Sequence, residues 1–315
     1  MTILVIGGCG FIGSHIVREL ALNNYSVLVY DNQADDENNS DLTTYIKGSI
    51  SDLFKLESAI QYYKVTHVIH LVSTTLPKTS NEDMKFDLTS NVVQTLGLLD
   101  LCVKHGVYKI IFMSSGGTVY GVPQSLPINE DHPTEPTCSY GICKLTIEKY
   151  LALYKHLFGL QYVIIRAANP YGPGQNPLAG QGIIATYVHR IQMALPLEVW
   201  GDGRVVRDYF DVRDLADLCR RALFSEHCGV FNAGSGNGTS VNDLVNILSD
   251  LMHIQPQVIY KESRNFDVPI IILDCSRAEQ FFGWKAAINL IDGVFDYLKW
   301  YKSDQFHQLN MINKQ

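Results

Sequence analysis

Tyr140 and Lys144 open a long amphipathic stretch, and their spacing of four puts both on one helical face, one turn apart. A protonated lysine beside a phenol favours the phenolate and draws the tyrosine pKa down from about 10 toward neutrality, where the phenolate can serve as a general base. Among seventeen tyrosines such a pair is expected somewhere by chance. Its position makes it informative, because it follows the hydroxyl-rich run Ser114-Ser115-Gly116-Gly117-Thr118-Val119-Tyr120-Gly121 at the end of an apolar stretch.

A second chemical feature lies at the N-terminus. Ile3-Leu4-Val5-Ile6 runs into Gly7-Gly8-Cys9-Gly10-Phe11-Ile12-Gly13, which is G-x-x-G-x-x-G directly after a strand buried on both faces. Gly7 allows the tight turn, Gly10 admits a pyrophosphate close to the backbone, and Gly13 lets the next helix pack on the strand. The N-terminus of that helix offers free N–H groups and partial positive charge to phosphates. The motif also requires a carboxylate about 20 residues on, to accept from the adenosine ribose hydroxyls. Asp31 ends the second strand and fits. No cation follows it in Asn32-Gln33-Ala34-Asp35-Asp36-Glu37, so the cofactor expected is NAD rather than NADP.

The elements that must position these groups follow from hydrophobic periodicity. Residues 3–6, 27–30, 43–47, 66–72, 109–113 and 161–166 read as strands, and 52–63, 86–105 and 139–158 as helices. Strands alternating with amphipathic helices predict an α/β fold, a doubly wound Rossmann-type parallel sheet with helices on both faces. Ser73-Thr74-Thr75 then falls at the carboxyl ends of the strands, where such sheets bind ligands. Pro and Gly punctuation after Asn169 marks a change. The predicted division is an NAD-binding domain over 1–169, with 208–232 returning to it, and a smaller C-terminal α/β substrate-binding domain over 170–315. The helix at 86–105 is apolar nearly all round, so it is buried on two faces, by the core alone or by the core and a second subunit. Asn91 is its polar exception.

At 315 residues the chain exceeds the roughly 250 to 300 at which one core stops growing. No apolar run approaches the roughly 18 residues of a membrane span, and no basic segment precedes an apolar one at the N-terminus. A cytoplasmic protein without membrane contact is the expectation. Seven scattered cysteines with no C-x-x-C pair fit a reducing compartment. The ten histidines form no ligand set, so no metal is implied. A net charge of −7 argues against nucleic acid as a partner, and anionic ligands must be held by particular arginines.

Together with Arg166, A-A-N-P-Y-G-P-G at 167–174 and G-D-G-R-V-V-R-D-Y at 201–209, these motifs resemble the extended short-chain dehydrogenase/reductase family. Within it the chain is most similar to nucleotide-sugar epimerases of the UDP-glucose 4-epimerase type. The resemblance runs from Ile3 to about Trp300. It implies a transient 4-keto sugar, with Tyr140 as base, Lys144 beside it and hydride held on NAD. It further implies that Asn169, Arg207 and Arg264 hold the nucleotide-sugar diphosphate and that Asn91 lines the nicotinamide side. The expected cofactor-binding set is Gly7, Gly10, Phe11, Ile12, Gly13, Asp31, Asn32, Ser49, Ile50, Leu71, Ser73, Asn91, Ser114, Tyr140 and Lys144, with Ile50 covering the adenine. A homodimer through the helices near 86–105 and 139–158 is implied as well.

Two departures stand out. Ser49 replaces the Asp usual before Ile50. Gly116 occupies the position of the catalytic serine of 4-epimerases, leaving Ser115 and Thr118 as the nearest hydroxyls. In a strand-like segment positions 116 and 118 share a side, so Thr118 is expected to point into the space left open at Gly116 and to donate to the sugar O4. A 4-ketoreductase or 4,6-dehydratase of the same family is the alternative activity. Dehydrating relatives carry Asp-Glu where this chain has Gly116-Gly117, and reductases more often use NADPH. A nucleotide-sensing module without chemistry would not need Tyr140 and Lys144 aligned. For the sugar, the resemblance points to the position of Ile271, small in relatives that accept N-acetylated hexosamines and large in those restricted to glucose and galactose.

Overall fold

The computed structural model describes residues 1–263 and 268–303. The chain begins with β1 (Thr2–Ile6), α1 (Phe11–Leu22), β2 (Ser26–Asp31), β3 (Thr43–Lys47), α2 (Leu53–Tyr62) and β4 (Val65–His70). A continuous helical stretch follows: α3 (Met84–Asp87), a π turn over 88–93, and α4 (Gln94–Lys104). Next come β5 (Lys109–Ser115), α5 (Ser139–Phe158), β6 (Gln161–Ala167), β7 (Asn169–Tyr171), α6 (Ile183–Gln192), β8 (Leu197–Trp200), β9 (Val206–Asp211), α7 (Val212–Phe224) and β10 (Gly229–Ala233). The remainder is β11 (Gly238–Ser240), α8 (Val241–Met252), β12 (Val258–Lys261), β13 (Ile270–Ile271), α9 (Ser276–Phe282) and α10 (Leu290–Tyr301).

Seven parallel strands lie in the order β10-β6-β5-β4-β1-β2-β3, so the order reverses beside β1. That reversal opens a crevice at the carboxyl ends of β1 and β4, where the glycine turn emerges. Alternation along the strands supplies two cores. Ile3, Val5, Val29, Ile111 and Ile165 face α1, α7 and α9, while Leu4, Ile6, Leu28, Val68 and Ile110 face α2, α4 and α5.

A smaller unit is assembled from the second half of the chain. β9 pairs with β7, β11 and β13, β8 pairs with β12, and α6, α8 and α10 bury Tyr187, Leu248 and Tyr297 in a third core. α8 starts where its side chain can cap it: the Ser240 hydroxyl accepts from Asp243 N at 3.0 Å. Two local conformations differ from the sequence reading. The helix at 86–105 contains a π turn, and residues 116–118 form a turn rather than a continuation of β5.

Candidate active site

The glycine turn has the geometry its spacing dictates. Gly7 is left-handed at φ 87° and donates to the Tyr30 carbonyl at 3.0 Å. A Cβ at Gly13 would come within 2.7 Å of Gly8 Cα, so α1 and the turn touch as backbone on backbone. A Cβ at Gly10 would meet only the Gly7 carbonyl, at 3.4 Å, and otherwise would fill the space in front of the helix. Nothing in the protein forbids that Cβ, and a pyrophosphate lying against α1 would. The first turn of α1 carries neither a side-chain cap nor an acid, which leaves its N–H groups for an anion. Asp31 braces the arrangement, its carboxylate accepting from Cys9 N at 3.0 Å and Gln33 N at 2.9 Å. Burial and that carboxylate push the Cys9 thiol up to about 11. These residues fit NAD.

The rest of the expected cofactor set is distributed unevenly. Phe11 and Ile12 face a cavity of about 360 Å³ beyond the helix start. Asn32 is exposed in the turn after β2, and Leu71 lies against Gly7. The Ser49 hydroxyl is paired with Ser51 at 2.8 Å, and the Ser73 hydroxyl donates to the Thr75 carbonyl at 3.2 Å. Ile50 is packed into the core with Tyr30 and Leu56 and retains little surface. Ser114 is buried and donates to Glu148 at 2.5 Å; the same glutamate grips Arg166 at 2.6 and 3.1 Å. Asn91 uses its whole side chain inside the protein. Its amide donates to the Asp87 carboxylate, the Asp87 carbonyl and the Thr74 hydroxyl, and its oxygen accepts from Thr74 N.

Tyr140 and Lys144 share a face of α5, with the ammonium 5.5 Å from the centre of the tyrosine ring and 4.8 Å from that of Phe112. Lys144 is buried and donates to the Met113 carbonyl at 2.9 Å. Burial lowers its pKa to about 8. The expected lowering of the phenol is reversed here: burial first, then Cys138 and Asp87, hold Tyr140 above its ordinary range. The ammonium lies over the ring face and bonds the strand, and its attraction does not overcome the cost of an anion in that slot.

The space expected beside Gly116 does not exist. A Cβ there would lie 2.5 Å from Leu273 Cδ1 and 3.1 Å from the Arg166 carbonyl. The strand-like geometry assumed for Thr118 is likewise replaced by a turn. The hydroxyl of Thr118 is nevertheless buried with no hydrogen-bond partner among the described residues, on the wall of a cavity of about 280 Å³ shared with Cys138, Arg207 and Val268. Ile271 lies instead in a core cluster with Val119 and Tyr120, and among the described residues of its segment Val268 lines that wall.

Arg207 borders both this cavity and the larger one, donating to the carbonyls of Val206 at 2.9 Å and Val268 at 2.7 Å. Asn169 lines the larger cavity and donates to the Asp208 carbonyl at 3.2 Å. Arg264 lies outside the described residues. Sequence reasoning missed Asp208, which is fully buried and accepts from Ser235, Gly236 and Leu273, fixing the strand that carries Arg207. Its signal in the sequence was an acid beside Arg207 in Val205-Val206-Arg207-Asp208-Tyr209. It also missed Asp87, four residues before Asn91 on the same helical face.

Comparison with known proteins agrees with this geometry. The model of the NAD dependent epimerase/dehydratase family matches residues 3–234. A putative UDP-glucose 4-epimerase of Methanocaldococcus jannaschii is 36% identical over 304 residues, covering 96% of this chain and 99% of the relative. The UDP-glucose 4-epimerase of Thermotoga maritima, solved with UDP-glucose, superposes with a TM-score of 0.92 at 34% identity, over 97% of this chain and 100% of that one. That of Thermus thermophilus, solved with NAD, gives 0.90 at 32% identity over 96% and 99%. On these matches the chain belongs to the NAD-dependent epimerase/dehydratase family, and it is an NAD-dependent sugar-nucleotide epimerase.

Proposed function

We propose that this enzyme interconverts UDP-glucose and UDP-galactose, or their N-acetylated counterparts, by inverting C4 through a 4-keto intermediate. The observation that carries the reading is the unpartnered Thr118 hydroxyl, buried on the wall of a cavity that Arg207 also borders and that Cys138, two residues before Tyr140, completes. A buried hydroxyl without a partner is costly, and a sugar hydroxyl supplies one. NAD, which the glycine turn and Asp31 would hold, would supply the hydride acceptor for C4 and the hydride for its reduction on the other face.

The chain's own residues do the rest. Arg207 and Asn169 hold the diphosphate between the two cavities, with Arg264 as the second arginine. Anchored there, the sugar is free to turn. Thr118 bridges O4 and Tyr140: in the oxidation it accepts from the O4 hydroxyl and its own proton goes to Tyr140, the general base, and in the reduction it donates to O4. The Lys144 ammonium offsets part of the cost of the phenolate that burial imposes. Asp31 selects NAD. The protein is read as a cytoplasmic homodimer: its seven cysteines are free thiols, and Phe86, Leu88, Val93, Ile142, Leu153 and Leu157 expose apolar surface on the two helices named above.

The test is incubation of the purified protein with UDP-glucose, UDP-galactose, their N-acetylated forms and dTDP-glucose, without added cofactor, followed by NMR of the products. Interconversion of the C4 epimers without net oxidation is the expected result. Turnover that requires stoichiometric reductant would put a 4-ketoreductase in its place.

A further inference from the structure

Asp87 ends α3, and none of it reaches solvent. Four groups donate to its carboxylate: the Thr75 hydroxyl at 2.5 Å, the Ser139 hydroxyl at 2.6 Å, the Asn91 amide at 2.8 Å and the Cys143 thiol at 3.3 Å. They come from the loop after β4, the π turn, and the first two turns of α5. A carboxylate removed from water is stable only where donors replace its hydration, and beside a helix N-terminus it also meets the positive end of the macrodipole. We propose that Asp87 is a positioning residue and the buried counter-charge of Lys144, docking the start of α5 on the loop after β4 and keeping the Lys144 ammonium charged. This deepens, and rests on, the reading of Lys144 as part of the proton-transfer site.

Lys144 has need of such a charge. Its surroundings are the Phe112 ring and Met113 carbonyl of β5, His70 of β4, and Tyr140, Cys143 and Glu148 of its own helix. His70 gives no help, because burial, and after it Lys144, push its pKa down to about 3 and leave it neutral. Asp87 is the largest charge opposing the effect of burial on Lys144, ahead of Cys143 and Glu148. The same field disfavours a Tyr140 phenolate, but there it ranks behind burial and Cys138.

The experiment is kcat against pH for the wild type, Asp87→Asn, Asp87→Glu and Lys144→Met, each checked for retained NAD and cooperative melting. Activity that needs a charged lysine falls as pH rises through the lysine pKa, which places an alkaline limb at about 8 in the wild type. Asp87→Asn keeps the shape and deletes the charge. Its limb should move to lower pH by about one unit or more, with part of the lost kcat recovered on acidification. Asp87→Glu keeps the charge on a longer side chain and should lose kcat with the limb unmoved. An unmoved limb in Asp87→Asn, or one displaced equally in both variants, overturns the proposal. If Asp87→Asn does not fold, the Glu variant decides: an unmoved limb supports the counter-charge, and a limb displaced by about a unit rejects it. Near-wild-type turnover in Lys144→Met would reject the role of Lys144 itself, whereas an inactive Lys144→Met with an unmoved Asp87→Asn limb rejects only Asp87.

Discussion

Replacing Tyr140 with phenylalanine keeps the ring against Lys144 and removes only the oxygen. The variant should retain NAD and bind nucleotide-sugar about as well as the wild type, while kcat falls about 10²- to 10⁴-fold, as expected for loss of a general base. Thr118→Val keeps the shape and deletes the unpaired hydroxyl, so it should lower kcat about 10-fold or more, and Ser115→Ala much less; the reverse ranking would move the proton path. Gly116→Ser would not restore the serine of relatives, because its Cβ meets Leu273 at 2.5 Å. We expect it to cost about 1–3 kcal/mol in urea denaturation through overpacking, and the cost to shrink when Leu273→Ala is added. Single residues were legible in proportion to how local their constraint is. Gly7, Gly13 and Asp31 answer to a turn and its neighbouring strand, and spacing alone located them. The filling of the Gly116 site by Leu273 depends on a contact between positions 157 apart in the chain, which no local pattern encodes.

Long elements with a regular apolar period were readable, and short ones were not. The bounds of α5 coincide with the reading of 139–158, whereas β8, β11 and β12, of three or four residues, carry too little alternation to stand out. In the 84–104 stretch the Asn91 carbonyl accepts from the Thr95 hydroxyl at 2.6 Å, and that hydroxyl in turn contacts His70 at 3.0 Å, a link between the helix and β4 that its sequence conceals. On α5, Leu153 and Leu157 are exposed one turn apart, in line with a face covered by a second copy. Leu153→Glu combined with Leu157→Glu should convert a dimer to a monomer in sedimentation velocity at micromolar protein. Unchanged mass would exclude this helix from the interface.

For the whole molecule, pH dependence of stability follows from where the titrating groups are buried. His70 is held at about 3 by burial, well below the ordinary histidine value. The unfolded chain therefore takes up a proton below about 6.5 that the folded protein refuses, so stability is complete above that pH and falls as pH drops toward 3, by about 1.4 kcal/mol per pH unit. His70→Gln has no such proton to bind. Its unfolding free energy between about pH 5.5 and 4 should decline less steeply than that of the wild type by roughly that amount, and equal slopes would show that His70 does not titrate this way.

The order of strands in the large sheet also bears on how the protein is made. β10 is an edge of that sheet, yet it leaves the ribosome only after the chain has passed through β7, α6, β8 and β9, all of which belong elsewhere. Until it arrives, β6 is an open edge, and the face bearing Val163 and Ile165 waits for Leu215 and Leu218 of α7, which emerge some fifty residues later. At about 5 to 20 residues per second, the nascent chain spends several seconds as a sticky, incomplete sheet. The stretch of synthesis between β6 and β10, past the middle of the chain, is therefore the stage at which the nascent protein is most open to aggregation.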